Sequence, residues 1–389
     1  MKNQVLANPF VVGRYVSDDF FCDRKQETDF LRKQIRNGRN VALISSRRMG
    51  KSGLVAHFFN QSDVSEEYYT FYVDIYATSS FSEFVYLLGK AIYEQLKPRK
   101  TVWAERFFQV ISSLRVGFKI DSQTGDTVFD ISLGDIHSPQ TTLDQIFEYL
   151  ENADRPCIVA IDEFQQIGSY TAERGVDAHP LGANVEALLR TKIQQCRQTQ
   201  FIFSGSKRHL MSNMFNSPAK PFYQSVIMMG LEPIPLDVYT DFAVRMFENR
   251  GKTVSPEAAK AVYRRFEGCT WFVQMMMNEL FALTPVQGVC GTDLLAEASA
   301  HIIASQYMGY QEQMAHLPLK QKQLLIAIAK ERQVSGITSA AFIKRNQLSS
   351  ASSVQAALKS LLKEDVVVND DGRYRIYDYF FAEWIAENY

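Results

Sequence analysis

The stretch Val41-Ala42-Leu43-Ile44-Ser45-Ser46-Arg47-Arg48-Met49-Gly50-Lys51-Ser52 decides the fold. Its four apolar residues read as a strand buried on both faces, and the following Gly53-Leu54-Val55-Ala56-His57-Phe58-Phe59 reads as a helix. Between them, Gly50-Lys51-Ser52 offers what a polyphosphate needs: backbone N–H groups at a helix start and a cation that reaches the phosphoryl oxygens. The strand, loop, helix context is what makes the pattern G-x-x-x-x-G-K-[ST] meaningful. Ser45 stands at its first-glycine position, where a β-carbon narrows the permitted backbone angles. Arg48, Met49, Gly50, Lys51, Ser52 and Gly53 are the candidate nucleotide-binding residues of this loop. Arg47 and Arg48 add charge that either reaches phosphate or pairs with neighbouring elements.

A second motif reinforces the first. Cys157-Ile158-Val159-Ala160-Ile161 is apolar on both faces, as a central parallel strand requires, and delivers Asp162 and Glu163 at its carboxyl end, where ligands of such sheets bind. Ser52 and Asp162 are the expected magnesium residues, and Glu163 the base that takes a proton from the attacking water. The competing reading is that Asp162 only caps the next helix. One core strand, Tyr69 to Ile75, lies between the two motifs, an insertion typical of NTPases that carry their own catalytic glutamate. A further strand, Phe201-Ile202-Phe203, ends in Ser204-Gly205-Ser206-Lys207-Arg208. Ser204 and Arg208 are thus catalytic candidates beside the γ-phosphate, together with Lys51 and Glu163, the alternative for the cations being a solvated basic turn.

Strand candidates Asn40 to Ile44, Tyr69 to Ile75, Cys157 to Ile161, Gln200 to Phe203 and Ser225 to Gly230 alternate with helical patterns, which predicts a parallel α/β sheet. Phe81, Phe84, Val85, Leu88, Ile92 and Leu96 mark one face of a crossover helix. From Trp103 to Asp135 the pattern is irregular, and Val128 to Leu133 alternates after the turn-prone Thr124-Gly125-Asp126, so a hairpin insertion is expected there. Glu232-Pro233-Ile234-Pro235 punctuates the chain before consecutive helical patterns from Asp237 to Leu283. From Leu317-Pro318 onward, three helical patterns precede two short β-like runs, Val366 to Asn369 and Arg373 to Ile376, joined by Asp370-Asp371-Gly372. That is the winged-helix order.

The chain has 389 residues, enough for two or three domains, and 46% hydrophobic against 22% charged residues excludes wholesale disorder. Five scattered cysteines form no C-x-x-C pair, which argues against a disulfide framework or zinc ribbon and for a reducing compartment. The six histidines show no metal-binding spacing, and Met275-Met276-Met277 reads as packing. Met1 to Phe10 lacks the apolar core of a signal peptide, and no run of about 18 apolar residues occurs, so a cytoplasmic location without membrane contact is expected. The net charge of −1 means that any nucleic-acid binding must come from a local patch.

These residues resemble the STAND-type and archaeal-type ATPases of the AAA+ superfamily, relatives of the origin-recognition ATPases. The likeness rests on Arg47-Arg48-x-Gly50-Lys51-Ser52, similar to the family's twin-arginine phosphate loop, and on Ile161-Asp162-Glu163-Phe164, similar to its acidic strand end. Phe21-Cys22-Asp23-Arg24-Lys25-Gln26-Glu27 resembles the N-terminal box that lies near the adenine in relatives, with Asp23 in place of glycine; Arg24 is the cofactor-binding or organising candidate there, with Glu27 beside it. Gly268-Cys269-Thr270-Trp271 falls where relatives carry a Gly-x-Pro turn in the lid, and the aromatic ending Tyr377-Asp378-Tyr379-Phe380-Phe381 resembles that of the family's winged helix. The resemblance implies an AAA+-like α/β P-loop NTPase sheet followed by a helical lid and a winged-helix domain. The expected boundaries are 1–231 for the N-terminal box and core, with the insertion at about 103–135, 232–310 for the lid and 311–389 for the winged helix.

The expected activity is magnesium-dependent conversion of ATP to ADP and phosphate, driving a switch or motor, slow without a partner. An arginine from a neighbouring subunit or partner, with Arg190, Arg197 and Arg208 as candidates, would then complete the site in a nucleotide-dependent homo-oligomer. The alternative is a non-hydrolysing adaptor. Residues 317–389 carry ten Lys or Arg against eight Asp or Glu, a slight excess for a phosphate-binding surface. Ser352, Ser353, Gln355 and Lys359 on the recognition-position helix, the preceding Lys344-Arg345-Asn346-Gln347, and Arg373, Tyr374 and Arg375 on the wing are the candidate contacts to duplex DNA; docking of a protein client is the other reading.

Overall fold

The computed structural model describes residues 6–96, 117–120, 127–130, 139–170, 181–370 and 372–389. The chain divides into two compact units: Gly13–Ile234, and a second that joins the described residues up to Val12 to Pro235–Tyr389.

In the first unit, β1 (Val41–Ile44), β2 (Tyr69–Asp74), β5 (Cys157–Asp162), β6 (Thr199–Gly205) and β7 (Ile227–Gly230) form one sheet, with β3 (Gly117–Ile120) and β4 (Thr127–Asp130) intervening in the chain. All its pairings are parallel and the spatial order is β2-β5-β6-β1-β7. Every residue of β1, β5 and β6 is buried, which explains their unbroken apolar character: strands covered on both faces have no solvent side to alternate toward. The one strand of this sheet that lies between the two motifs in sequence, β2, is an edge. The strand between them in space is β6, so the serines at its end stand between the phosphate loop and the acidic pair.

The helix Phe81–Leu96 buries the six apolar residues that its spacing predicts. β3 and β4 pair antiparallel, Gly117 opposite Asp130 and Ile120 opposite Thr127, as expected of a hairpin; its turn, Thr124-Gly125-Asp126, and residues 131–133 lie outside the described residues.

The second unit carries helices Leu236–Glu248, Pro256–Arg265, Thr270–Leu283 and Leu295–His316, and a small parallel pair, β8 (Thr253–Val254) with β9 (Val289–Cys290). Ser255 caps one helix by accepting from Ala258 N–H, with Pro256 at the first helical position, where its missing donor costs nothing. The first described residues were expected with the sheet, but Phe10 is fully buried in this unit, its ring centroid 5.5 to 6.3 Å from those of Phe242, Phe247 and Phe281. Asn8 Nδ2 donates to Asn278 O at 2.8 Å, and Asn278 Nδ2 returns a bond to Phe10 O at 2.7 Å.

The continuous helix Leu295–His316 runs through the expected division between 310 and 311. Beyond it come the helix Leu319–Glu331, β10 (Val334–Ser335), helices Ala340–Arg345 and Ala351–Lys363, then β11 (Val367–Asp370), β12 (Arg373–Ile376) and a closing helix, Tyr379–Asn388. The three strands pair antiparallel in the order β10-β12-β11, which is a winged helix. Of the turn between β11 and β12, Asp371 lies outside the described residues. Asp378 accepts from Phe380 and Phe381 N–H and so starts the helix on which Phe380, Phe381, Trp384 and Ile385 are buried. Among the described residues, no helix is long and apolar enough to cross a membrane.

Candidate functional site

β1 delivers the phosphate loop at its carboxyl end. Gly50, at φ +92°, takes the left-handed turn that starts the helix Lys51–Asn60, and Leu54, Val55 and Phe58 on that helix are fully buried, anchoring it to the sheet. Arg48 is also left-handed, at φ +63°. Ser45 is not, so the β-carbon at the first-glycine position meets no such backbone demand; the loop places its special angles three and five residues later. The Ser45 hydroxyl donates to Ser46 O at 3.0 Å. Lys51, 6% exposed, folds over the loop and donates to Ser45 O at 3.1 Å and Ser46 O at 3.0 Å. A buried ammonium that donates to carbonyls and a hydroxyl can exchange such partners for an anion.

The acidic pair stands two strands away. Asp162 Oδ1 accepts from Ser204 Oγ at 2.6 Å and from Glu163 N–H at 3.0 Å, and Oδ2 accepts from Ser52 Oγ at 2.8 Å and from the Tyr72 hydroxyl. Burial opposes ionisation of this carboxyl, but the four donors outweigh it and hold its pKa below the ordinary aspartate value. Three candidates from separate parts of the sequence, Ser52, Asp162 and Ser204, therefore meet at one carboxylate.

Glu163 has φ +56° and ψ +40°, a left-handed backbone set by the next residue. Phe164 is fully buried among Phe203, Phe215 and Phe222, with ring centroids 4.3 to 5.9 Å away. Such aromatic pairs are worth about 0.5–1.5 kcal/mol each beyond area burial, enough together to offset a strained residue costing roughly 1–3 kcal/mol. Glu163 Oε2 accepts from Ser206 Oγ at 2.8 Å and from the Gln165 amide, and Arg47 Nε donates to Ser206 Oγ at 3.4 Å. Room for the Gln165 side chain exists because residue 205 is glycine: a Cβ there would lie 2.3 Å from Gln165 Oε1 and 2.6 Å from Met211 Cγ.

Arg24, 4% exposed, bonds Glu27 Oε1 at 2.8 Å, Glu232 O at 2.7 Å and Met49 O at 3.4 Å, so it ties the N-terminal box to the phosphate loop and to the segment after β7. It and Asp23 both have left-handed backbones, φ +66° and +57°; aspartate tolerates a position otherwise suited to glycine. Arg208 lies at the carboxyl end of the sheet, exposed and 3.9 Å from Glu232. Arg197 precedes β6, at the opposite end of the sheet, and Arg190 is half-buried on the helix Leu181–Gln195. Two neighbours of the site carried no sequence signal of their own. One is Tyr72. The other is Asp74, which pairs in register with Asp162 and whose pKa is raised by burial, partly countered by Tyr76 N–H, and by the charges of Asp162 and Glu163.

A hydroxyl and a carboxylate beside a phosphate-type loop are hard oxygen donors, which fit magnesium; that ion keeps several waters and takes its remaining ligands from one or two side chains and substrate phosphates.

Residues 308–387 match the family model described as "Probable winged helix domain". No curated protein matches the chain. Among solved structures, the Walker-type ATPase of Pyrococcus abyssi is similar over 97% of this chain and 99% of its own, at 18% identity and a TM-score of 0.62. The Aeropyrum pernix ORC2 protein, solved in ADPNP–ADP complexes, is similar over 97% and 95%, at 12% identity and a TM-score of 0.55. The Aeropyrum pernix ORC1 protein, solved in complex with DNA, is similar over 95% and 94%, at 13% identity and a TM-score of 0.50. The chain thus has the fold of AAA+ P-loop ATPases, a five-stranded parallel sheet with its helices, and ends in a winged-helix domain.

Proposed function

We propose that this chain binds ATP with magnesium and hydrolyses it to ADP and phosphate, as a nucleotide-driven switch or motor. The observation that carries the reading is the meeting of Ser52, Ser204 and Asp162 at one buried carboxylate, with Glu163 adjacent and Lys51 across β6. Lys51 would leave its carbonyls for the β- and γ-phosphates, while the loop from Arg48 to Gly53 presents backbone N–H groups. Ser52 and Asp162 would hold magnesium, which supplies neutralisation of the phosphate charge. Glu163 would accept the proton of the attacking water, and Ser204 would keep Asp162 ionised and oriented. Of Arg190, Arg197 and Arg208, Arg208 is the one that follows β6 at that end of the sheet, and Arg24 would organise the loop through Met49 O.

Glu163 enters with its Oε2 already accepting two hydrogen bonds, which supports slow turnover without a partner. A nucleotide-dependent homo-oligomer supplying an arginine would raise it. The twin arginines Arg47 and Arg48 support placement in the STAND-type or archaeal-type branch, and the absence of any disulfide among the five cysteines supports the cytoplasm. We further assign 232–310 to a lid and 311–389 to the winged helix, joined by the shared helix Leu295–His316.

Phosphate release by the purified chain with magnesium and ATP tests the reading. Glu163→Gln should lower it by about 100-fold or more while ATP still binds. Undiminished release would overturn the assignment of the base.

For the winged helix, the observations favour a protein client over duplex DNA. Arg345 is bound to Glu331 through two bonds of 2.9 and 2.7 Å, and Arg375 pairs with Asp370 at 3.2 Å and lies over the Tyr379 ring. Internal pairing thus consumes two of the ten basic residues in the places where DNA phosphates would be met.

A further inference from the structure

Asp162 already accepts a donor at every position that a carboxylate offers. Its two oxygens provide about four lone-pair sites, and Ser204, Glu163 N–H, Ser52 and Tyr72 take them all. A magnesium-bound water that is to bond this carboxylate must therefore replace one of the four. Glu163 N–H is fixed by the backbone, and Ser204 is fully buried on β6, walled in by strands on both sides. Ser52 is itself a metal-ligand candidate. Tyr72 differs from the two fixed donors, and unlike Ser52 it is no metal-ligand candidate: it sits on the edge strand β2, beside Ala160 in register, and is 38% exposed. Its edge position gives the hydroxyl a route from the carboxylate to solvent, where it can recover a hydrogen bond, a freedom that the Glu163 N–H and Ser204 lack and that the exposed Ser52 would give up on binding the metal.

We propose that Tyr72 is a positioning residue of the metal site, a place-holding donor that occupies Asp162 Oδ2 until a metal-bound water takes that position. The inference rests on the magnesium–ATP reading and deepens it. In the absence of metal, Tyr72 keeps the buried carboxylate satisfied and aimed at Ser52; on loading it yields. The exchange lowers apparent metal affinity, because the competent arrangement must first lose a charge-assisted bond.

The test uses the full chain with 3-fluorotyrosine in place of Tyr72, Mn2+ or Mg2+, and the non-hydrolysable analogue ADPNP. The 19F resonance should stay in place with ADPNP and a chelator, and move when Mg2+ is added. Independently, Tyr72→Phe should bind Mn2+ with ADPNP roughly three- to tenfold more tightly by electron paramagnetic resonance, since the competitor is gone. A residue that merely packs against the sheet would give neither result. A stationary resonance under conditions where Mn2+ is bound, or unchanged or weaker binding by Tyr72→Phe, overturns the proposal and leaves the site reading intact. If the unsubstituted chain and Lys51→Ala are equally unable to bind Mn2+ with ADPNP, the site reading itself fails and this proposal falls with it.

Discussion

Ser206 and Glu163 are joined across two strand ends: the serine hydroxyl at the end of β6 donates to Glu163 Oε2 at 2.8 Å, and Arg47 of the phosphate loop donates to the same hydroxyl. This short chain links the loop that would bind phosphate to the carboxylate that would handle the water's proton. Removing its middle member should loosen the carboxylate without emptying the nucleotide site. Ser206→Ala is expected to lower kcat for ATP by about 3- to 10-fold with little change in KM. Steady-state kinetics check this, and a rise in KM at constant kcat would contradict it.

Lys51 donates to Ser45 O and Ser46 O from a buried position. In Lys51→Ala these carbonyls lose a cationic partner and the phosphates lose theirs. ATP affinity by calorimetry should fall on the order of 30- to 100-fold.

The acid stability of the first unit follows from Asp162. Its folded pKa lies below the ordinary value, so its contribution is complete above the unfolded pKa and is lost as pH falls through the depressed folded one. Asp74 runs the other way: its pKa is raised, so its charge weakens the fold at neutral pH and protonation relieves that cost as pH falls. With a chelator present, Asp162→Asn should lower urea midpoints at pH 7 and flatten their decline toward pH 3. Asp74→Asn should raise the pH 7 midpoint.

Much of this was readable in advance. Val41 to Ile44 and Cys157 to Asp162 announce central strands because burial on both faces leaves no polar alternation, and Gly50-Lys51-Ser52 lies where a helix must begin. Tyr72 was not readable: that it reaches Asp162 depends on the register between β2 and β5, which no local pattern encodes. Ser45 misled for the opposite reason, since a motif's glycine is written by position while the backbone demand falls at Arg48 and Gly50. The two-residue strand β10 is too short to leave a period, and Phe10 finds its partners too far along the chain for any window to register.

The docking of Phe10 makes a stability prediction. Phe10→Ala removes a fully buried ring from among Phe242, Phe247 and Phe281 and should destabilise the second unit by about 3–5 kcal/mol. Denaturation followed by a probe in that unit checks this.

The winged helix is testable through salt. With Arg345 and Arg375 paired internally, Lys359 and Arg373 are exposed. Mobility shifts on duplex DNA should be absent at 150 mM salt. Should binding occur at low salt, Lys359→Ala and Arg373→Ala should each reduce the slope of log affinity against log salt by about 1.

The bond between Asn278 and Phe10 spans 268 positions, and that separation has a consequence for biosynthesis. Chains emerge amino end first and domains form as they appear, so the sheet of Gly13–Ile234 is complete while the unit that claims Phe10 is still being translated. During that interval Phe10 has no home, and a chaperone or a neighbouring nascent chain meets it as an exposed aromatic. Closing so long a loop is also slow. A bulky amino-terminal fusion would thus act at a distance, impairing maturation of the carboxyl-terminal unit while leaving the five-stranded sheet untouched.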